Sequence, residues 1–135
     1  MLAKIRSGVH AGGISTLEVM WTGSGSALLL TLVMGHFLGD YAFQSDRMAV
    51  EKCSGCDVTL SWKWWLGAHT AIHGFLVAVI TGLPWLGLAE WVIHALIDYC
   101  KCRGFYRLRM DQSLHLVCKL AWAATASYIL GLHLI

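Results

Sequence analysis

The chain has 135 residues, 57% of them hydrophobic and only 13% charged, with seven tryptophans and a mean hydropathy of +0.61. A water-soluble domain carries about 25% charged residues, so lipid is the expected solvent for most of this chain. The net charge of +2 is too small for a nucleic-acid-binding surface, and the length supports one domain.

Residues 1–24 carry Lys4, Arg6, His10 and Glu18 among several glycines. They have no apolar run long enough for a cleaved signal peptide and no clear apolar face, so a loose or interfacial N-terminal arm is expected. Residues 25–135 are expected to form a membrane domain. Its first span, 25–43, is apolar on most faces through Leu28, Leu29, Leu30, Leu32, Val33, Met34, Phe37 and Leu38. At a rise of about 1.5 Å per residue it comes close to crossing a hydrocarbon core. Residues 44–63 read as a polar loop with Asp46, Arg47, Glu51, Lys52 and Asp57. Trp62, Trp64 and Trp65 then mark a membrane–water interface, opening a second span over 64–83. Pro84 and Gly87 give a short uncharged turn into a third span, 85–100. A basic loop over 101–112 leads to a fourth, 113–135.

Short connections between these spans predict an all-α, up-down-up-down four-helix transmembrane bundle. Arg47, Lys52 and Lys63 fall in one loop, and Lys101, Arg103, Arg107 and Arg109 in the other. The positive-inside rule puts both loops in the cytoplasm and both termini outside, in a bacterial inner membrane.

That threading gives meaning to a repeated spacing. His36 and Asp40, His69 and His73, His94 and Asp98, and Asp111 and His115 are all separated by four residues, which places each pair on one helix face. Up-down threading brings all of them to the cytoplasmic end. Each has a structural alternative. A lone histidine near an interface is commonly a hydrogen-bonded residue, Asp40 and Asp98 could pair with Lys52 or Lys101, and Asp111 could cap its helix. Ionisable groups gathered at one membrane level nevertheless point to a metal or proton-handling centre.

Imidazole and carboxylate suit a divalent transition metal, zinc first, with manganese or iron as alternatives. The expected ligands are His36, Asp40, His69, His73, His94, Asp98 and His115, enough for one or two ions, with Asp111, Lys101 and Gln44 as groups acting on a substrate. Glu90 and Lys119 lie one turn deeper and are expected to pair across the third and fourth spans.

The blocks His36-Phe-Leu-Gly-Asp40-Tyr-Ala-Phe-Gln44, His94-Ala-Leu-Ile-Asp98-Tyr-Cys-Lys101 and Asp111-Gln-Ser-Leu-His115 resemble an uncharacterised family of small polytopic membrane proteins from bacteria and phages. The resemblance covers about residues 30–120 and implies the membrane class without a reaction. A looser similarity to membrane-bound metal-dependent hydrolases is analogy.

Cys53, Cys56, Cys100 and Cys102 lie in the two loops on one side. They could form a Cys₄ zinc site, or stand as spare thiols in a reducing compartment. Cys118 reads as packing.

Two functional readings follow. The first is a metal-dependent hydrolase acting on an amphiphilic or phosphate-containing small molecule. The second is a non-enzymatic membrane protein, passing ions or protons or binding a partner or host protein, with a structural metal or polar cluster. Transport would need polar residues continuing to the outer side, and beyond Glu90 and Lys119 only His133 is ionisable. Oligomerisation is compatible with either reading.

Overall fold

The computed structural model describes residues 24–133; the N-terminal arm expected over 1–24 lies outside them except for Ser24. Among the described residues the chain is all-helical. Helix α1 (Gly25–Phe37) runs into a π-helical turn, Leu38–Ala42, and a short helix α2 (Asp46–Glu51) follows. Three long helices complete the fold: α3 (Trp62–Thr81), α4 (Pro84–Cys102) and α5 (Leu108–Leu130).

The boundaries have local causes. Gly82 ends α3 at φ 68°, a left-handed conformation that costs glycine little. Pro84 then starts α4, where its missing N–H is no loss. The third helix is longer than the expected 85–100, because Lys101 and Cys102 stay helical beyond the apolar stretch. The fourth starts at Leu108 rather than 113; its first turn exposes Leu108, Arg109 and Met110 and buries only Asp111. In the expected polar loop, Ser45 accepts a hydrogen bond from the Met48 N–H and caps α2, which hydropathy alone does not reveal.

The helices α1, α3, α4 and α5 pack as a ring, with α1 and α4 each touching both α3 and α5. The closest crossing is between α3 and α4. A Cβ at Gly74 would lie 2.7 Å from the Gly87 carbonyl oxygen, and one at Gly87 would lie 2.5 Å from the Ala78 Cβ. Small residues thus let the two backbones meet. At one end of the bundle the Gly25 N–H donates to the His133 carbonyl at 2.6 Å.

The interior is layered along its axis. One end is apolar, built from Leu28, Leu32, Val77, Ile80, Leu86, Ala123 and Ala126. The other end is buried and polar, with His36, His69, His73, His94, Asp98, Asp111 and His115. Glu90 and Lys119 lie between. Outward faces carry Leu30, Met34, Phe75, Leu88, Leu96, Val117 and Leu120. At the polar end the distribution is inverted relative to a bundle in water, whose apolar stripe faces the core. Two helices, α3 and α5, are long and apolar enough to cross a membrane; α1 is short, and α4 carries Glu90, Asp98 and Lys101.

The α2 segment folds over the polar end. The buried Glu51 accepts from the Thr59 N–H and hydroxyl, both at 2.8 Å, from the Val58 N–H at 3.2 Å and from the Trp65 indole at 3.1 Å. Burial pushes the Glu51 carboxyl up, but these donors outweigh it and hold it down at about 2. Cys53, just past α2, forms a disulfide with Cys102 at the end of α4, Cα–Cα 5.1 Å. This pairing replaces the Cys₄ zinc arrangement: Cys56 is exposed, Cys100 is half-buried, and among the described residues no cysteine joins a metal-holding group.

Because Glu51 has a lower pKa folded than its ordinary 4.5, its tie is fully present above pH 4.5 and is lost as pH falls through about 2. Thermal unfolding and Trp65 fluorescence of the detergent-purified protein should fall over that window, and Glu51→Gln should flatten the profile. A wild-type profile without a step there would remove the carboxylate from this role.

Candidate metal centre

The polar end of the bundle is assembled from the three long helices and the turn that follows α1. The turn after α1 supplies Asp40, α3 supplies His69 and His73, α4 supplies His94 and Asp98, and α5 supplies Asp111 and His115. The π-helical turn, closed by the Phe43 N–H on the Leu38 carbonyl at 3.1 Å, carries Asp40 into the cluster. Gly39 beside it leaves room for an imidazole, since a Cβ there would lie 2.5 Å from His73 Cε1.

Three carboxylates share one design. Asp40 Oδ2 accepts from the Gln112 side-chain amide at 2.8 Å, while Oδ1 faces His73 Nε2 at 3.1 Å and His69 Nε2 at 3.4 Å. Asp98 Oδ2 accepts from Lys52 Nζ at 2.6 Å, with Oδ1 3.4 Å from His115 Nε2. Asp111 Oδ2 is 3.1 Å from Lys101 Nζ, with Oδ1 3.7 Å from His115 Nε2. In each case one oxygen is tethered by a neighbouring side chain and the other faces imidazole, and the tethered oxygens of Asp40 and Asp98 also lie 3.5 Å from His36 Nε2 and 3.3 Å from His69 Nε2.

The imidazoles are packed against one another. Ring centroids are 3.9 Å apart for His73–His94 and again for His94–His115, both stacked. His94 Nδ1 lies 3.0 Å from Glu90 Oε1. A carboxylate only accepts, so Nδ1 carries the proton and Nε2 presents its lone pair to the cluster. His94 Nε2 is buried and makes no hydrogen bond, as are both ring nitrogens of His69 and His73. Buried polar atoms normally find partners, so this concentration makes the cluster a candidate ligand site.

Two groups have one donor atom from each member within 4.8 Å of the others: Asp40, His69, His73 and His94, and His94, Asp98 and His115. Six of the seven expected ligands therefore converge. His36 belongs to neither group. Its Nε2 lies 3.2 Å from Gln112 Oε1, and that amide points its nitrogen at Asp40. The proton on Nε2 thus goes to Gln112, and His36 acts by orienting the amide that holds Asp40. Its ring also packs on His73, His94 and His115.

A vestibule of about 310 Å³ opens beside the cluster, with Asp40, Gln44, Lys52, Asp98, Lys101 and Asp111 on its walls. The residues expected to meet a substrate, Gln44, Lys101 and Asp111, are all at this opening. Gln112 was not singled out in the sequence; its one signal is a polar side chain three residues before His115. Deeper in, Glu90 accepts from Lys119 and, through Oε2, from the Trp122 indole at 2.5 Å. The Glu90–Lys119 pair follows from helix register, whereas Trp122 has the same periodicity as ordinary core.

Such a site defines an all-helical protein with a buried histidine–aspartate cluster at one end of its bundle. The chain belongs to the family described as "Protein of unknown function (DUF3307)", which matches residues 28–133. No curated protein and no solved structure matches it.

Glu90 and Lys119 are each 1% exposed, so removing either strands a buried charge. Glu90→Ala and Lys119→Ala are each expected to cost roughly 3–5 kcal/mol in reversible unfolding. The double replacement Glu90→Ala, Lys119→Ala should cost less than the two single changes added together. Additive losses would show that the groups do not act as a pair.

Proposed function

We propose that this protein is a four-span membrane metalloprotein, with a His/Asp centre that works on a small phosphate- or ester-containing substrate by metal-assisted hydrolysis. The observation that carries the reading is the tethering of Asp40, Asp98 and Asp111. Each is held through one oxygen by Gln112, Lys52 or Lys101, and Asp40 faces the Nε2 atoms of His69 and His73, which make no hydrogen bond. Asp40 adds a second reason. Among the described residues Glu90, Asp98 and Asp111 each have a lysine, whereas Asp40 has only an amide and imidazoles. A cation bound there would supply the missing countercharge.

The membrane assignment rests on the polar interior and apolar exterior, with two helices that can span. In that setting α1 with its π-helical turn and α4 are the remaining spans. Their charged groups face the interior rather than lipid. The basic loops favour the cytoplasm for the vestibule end, although Lys52 and Lys101 are committed to Asp98 and Asp111 and count less as loop charges.

A divalent ion in the centre would acidify a water or polarise a phosphoryl or acyl oxygen. Asp111, on the vestibule wall, is placed to take a proton. Gln44, and Lys101 through an N–H not directed at Asp111, would hold a polar or anionic group of the substrate. The apolar layer from Leu28 to Ala126 closes the other end of the bundle, which disfavours transport through it.

Wild-type protein purified in detergent and offered zinc, manganese or iron(II) is expected to retain metal through dialysis and to cleave a chromogenic phosphate ester only when loaded. An Asp40→Ala, Asp98→Ala double variant should lose metal with its helical circular dichroism intact. Wild type that holds no metal would end the metal reading; a loaded protein inert toward phosphate and carboxylic esters would end the hydrolase reading.

Orientation has a separate check. A disulfide persists in an oxidising compartment and is reduced in the cytoplasm. If the vestibule end is cytoplasmic, Cys53 and Cys102 should react with a membrane-permeant maleimide in untreated cells and become protected after oxidant. Protection in untreated cells would place that end outside.

A further inference from the structure

The two converging groups of donors overlap at His94, and that residue cannot serve both. Its Nδ1 is committed to Glu90 Oε1 at 3.0 Å, which leaves Nε2 alone, and one ring nitrogen ligates one ion. Assigning His94 to Asp98 and His115 still leaves Asp40, His69 and His73 together, with Asp40 Oδ1 3.1 Å from His73 Nε2 and 3.4 Å from His69 Nε2.

Asp98 lies between these sets. Its Oδ1 is 3.4 Å from His115 Nε2 in one, and its Oδ2 is 3.3 Å from His69 Nε2 in the other. A carboxylate with one oxygen toward each set is placed to bridge two ions. Lys52 also sits on Oδ2, but an oxygen with two lone pairs can keep that contact while facing a metal. The stacked rings of His73 and His94, and the placing of His94 within 4.8 Å of the donors of both sets, bring the two sets next to each other, as a two-metal site requires.

We infer that the centre takes two divalent transition-metal ions, one on Asp40, His69 and His73 and one on His94, Asp98 and His115, with Asp98 bridging. This rests on the metal-centre reading above and deepens it. Counting the bridge, the first ion has four protein donors and the second has three, so the second ion keeps the position open to water or substrate. Two adjacent ions suit a phosphoryl group best, because they can hold both the attacking and the leaving oxygen.

Full-length protein, stripped with chelator and reloaded with manganese(II), tests the count. The wild type is expected to bind two ions per chain and to give an exchange-coupled electron paramagnetic resonance spectrum. His115→Asn should bind one ion with an uncoupled signal. Should that variant fail to fold, Asp40→Asn should likewise leave one. Saturation of the wild type at one ion, or an uncoupled wild-type spectrum at two, overturns the bridged pair while leaving the metal centre standing. No binding at all removes the metal centre itself.

Discussion

Everything at the polar end depends on keeping Glu90, Asp98 and Asp111 buried, and Asp40 nearly so, without leaving any of them alone. An isolated buried charge costs several kcal/mol, and the chain meets that cost separately for each group. Lys119 and the Trp122 indole serve Glu90, Lys52 serves Asp98, Lys101 serves Asp111, and Gln112 holds Asp40. These partners also aim the acids. By occupying one oxygen of each aspartate, they turn the other toward the imidazole rings. The same contacts that make burial tolerable therefore set the geometry of the histidine–aspartate cluster.

Glu90 shows how far the arrangement extends beyond the ligands. It fixes the His94 tautomer from one turn below and is itself fixed by a lysine and an indole on α5. Outer partners of this kind set ring orientation and ligand basicity in metal sites generally. Glu90 and Lys119 also mark the boundary between the layer of imidazoles and the apolar end of the bundle, where small and branched side chains leave no polar path onward.

The cover over the centre is built from residues with nothing catalytic about them. Ser45 caps α2, Glu51 gathers donors from Val58, Thr59 and Trp65, and Cys53 reaches Cys102. Together they hold Lys52, 4% exposed, against Asp98 at the vestibule wall. A loop that looks like a solvated connection is thus part of the site.

By itself the sequence determined the helical class, the positions of the long helices and the gathering of histidines and aspartates at one end. Those features follow from local rules: apolar runs make helices, i and i+4 share a face, and antiparallel threading aligns the ends. The Glu90–Lys119 pair was legible for the same reason. Only the tertiary structure decided which donors converge. His36 has the same spacing to Asp40 as His94 has to Asp98, yet it orients Gln112, because the amide from α5 reaches it first. Lys52 rather than Lys101 found Asp98, because the α2 segment folds inward, and the disulfide between Cys53 and Cys102 set aside the spacing within each cysteine pair. Periodicity fixes the face on which a side chain lies. Which partner on a neighbouring helix it meets depends on rotation and depth of packing, and no run of residues along one helix encodes those.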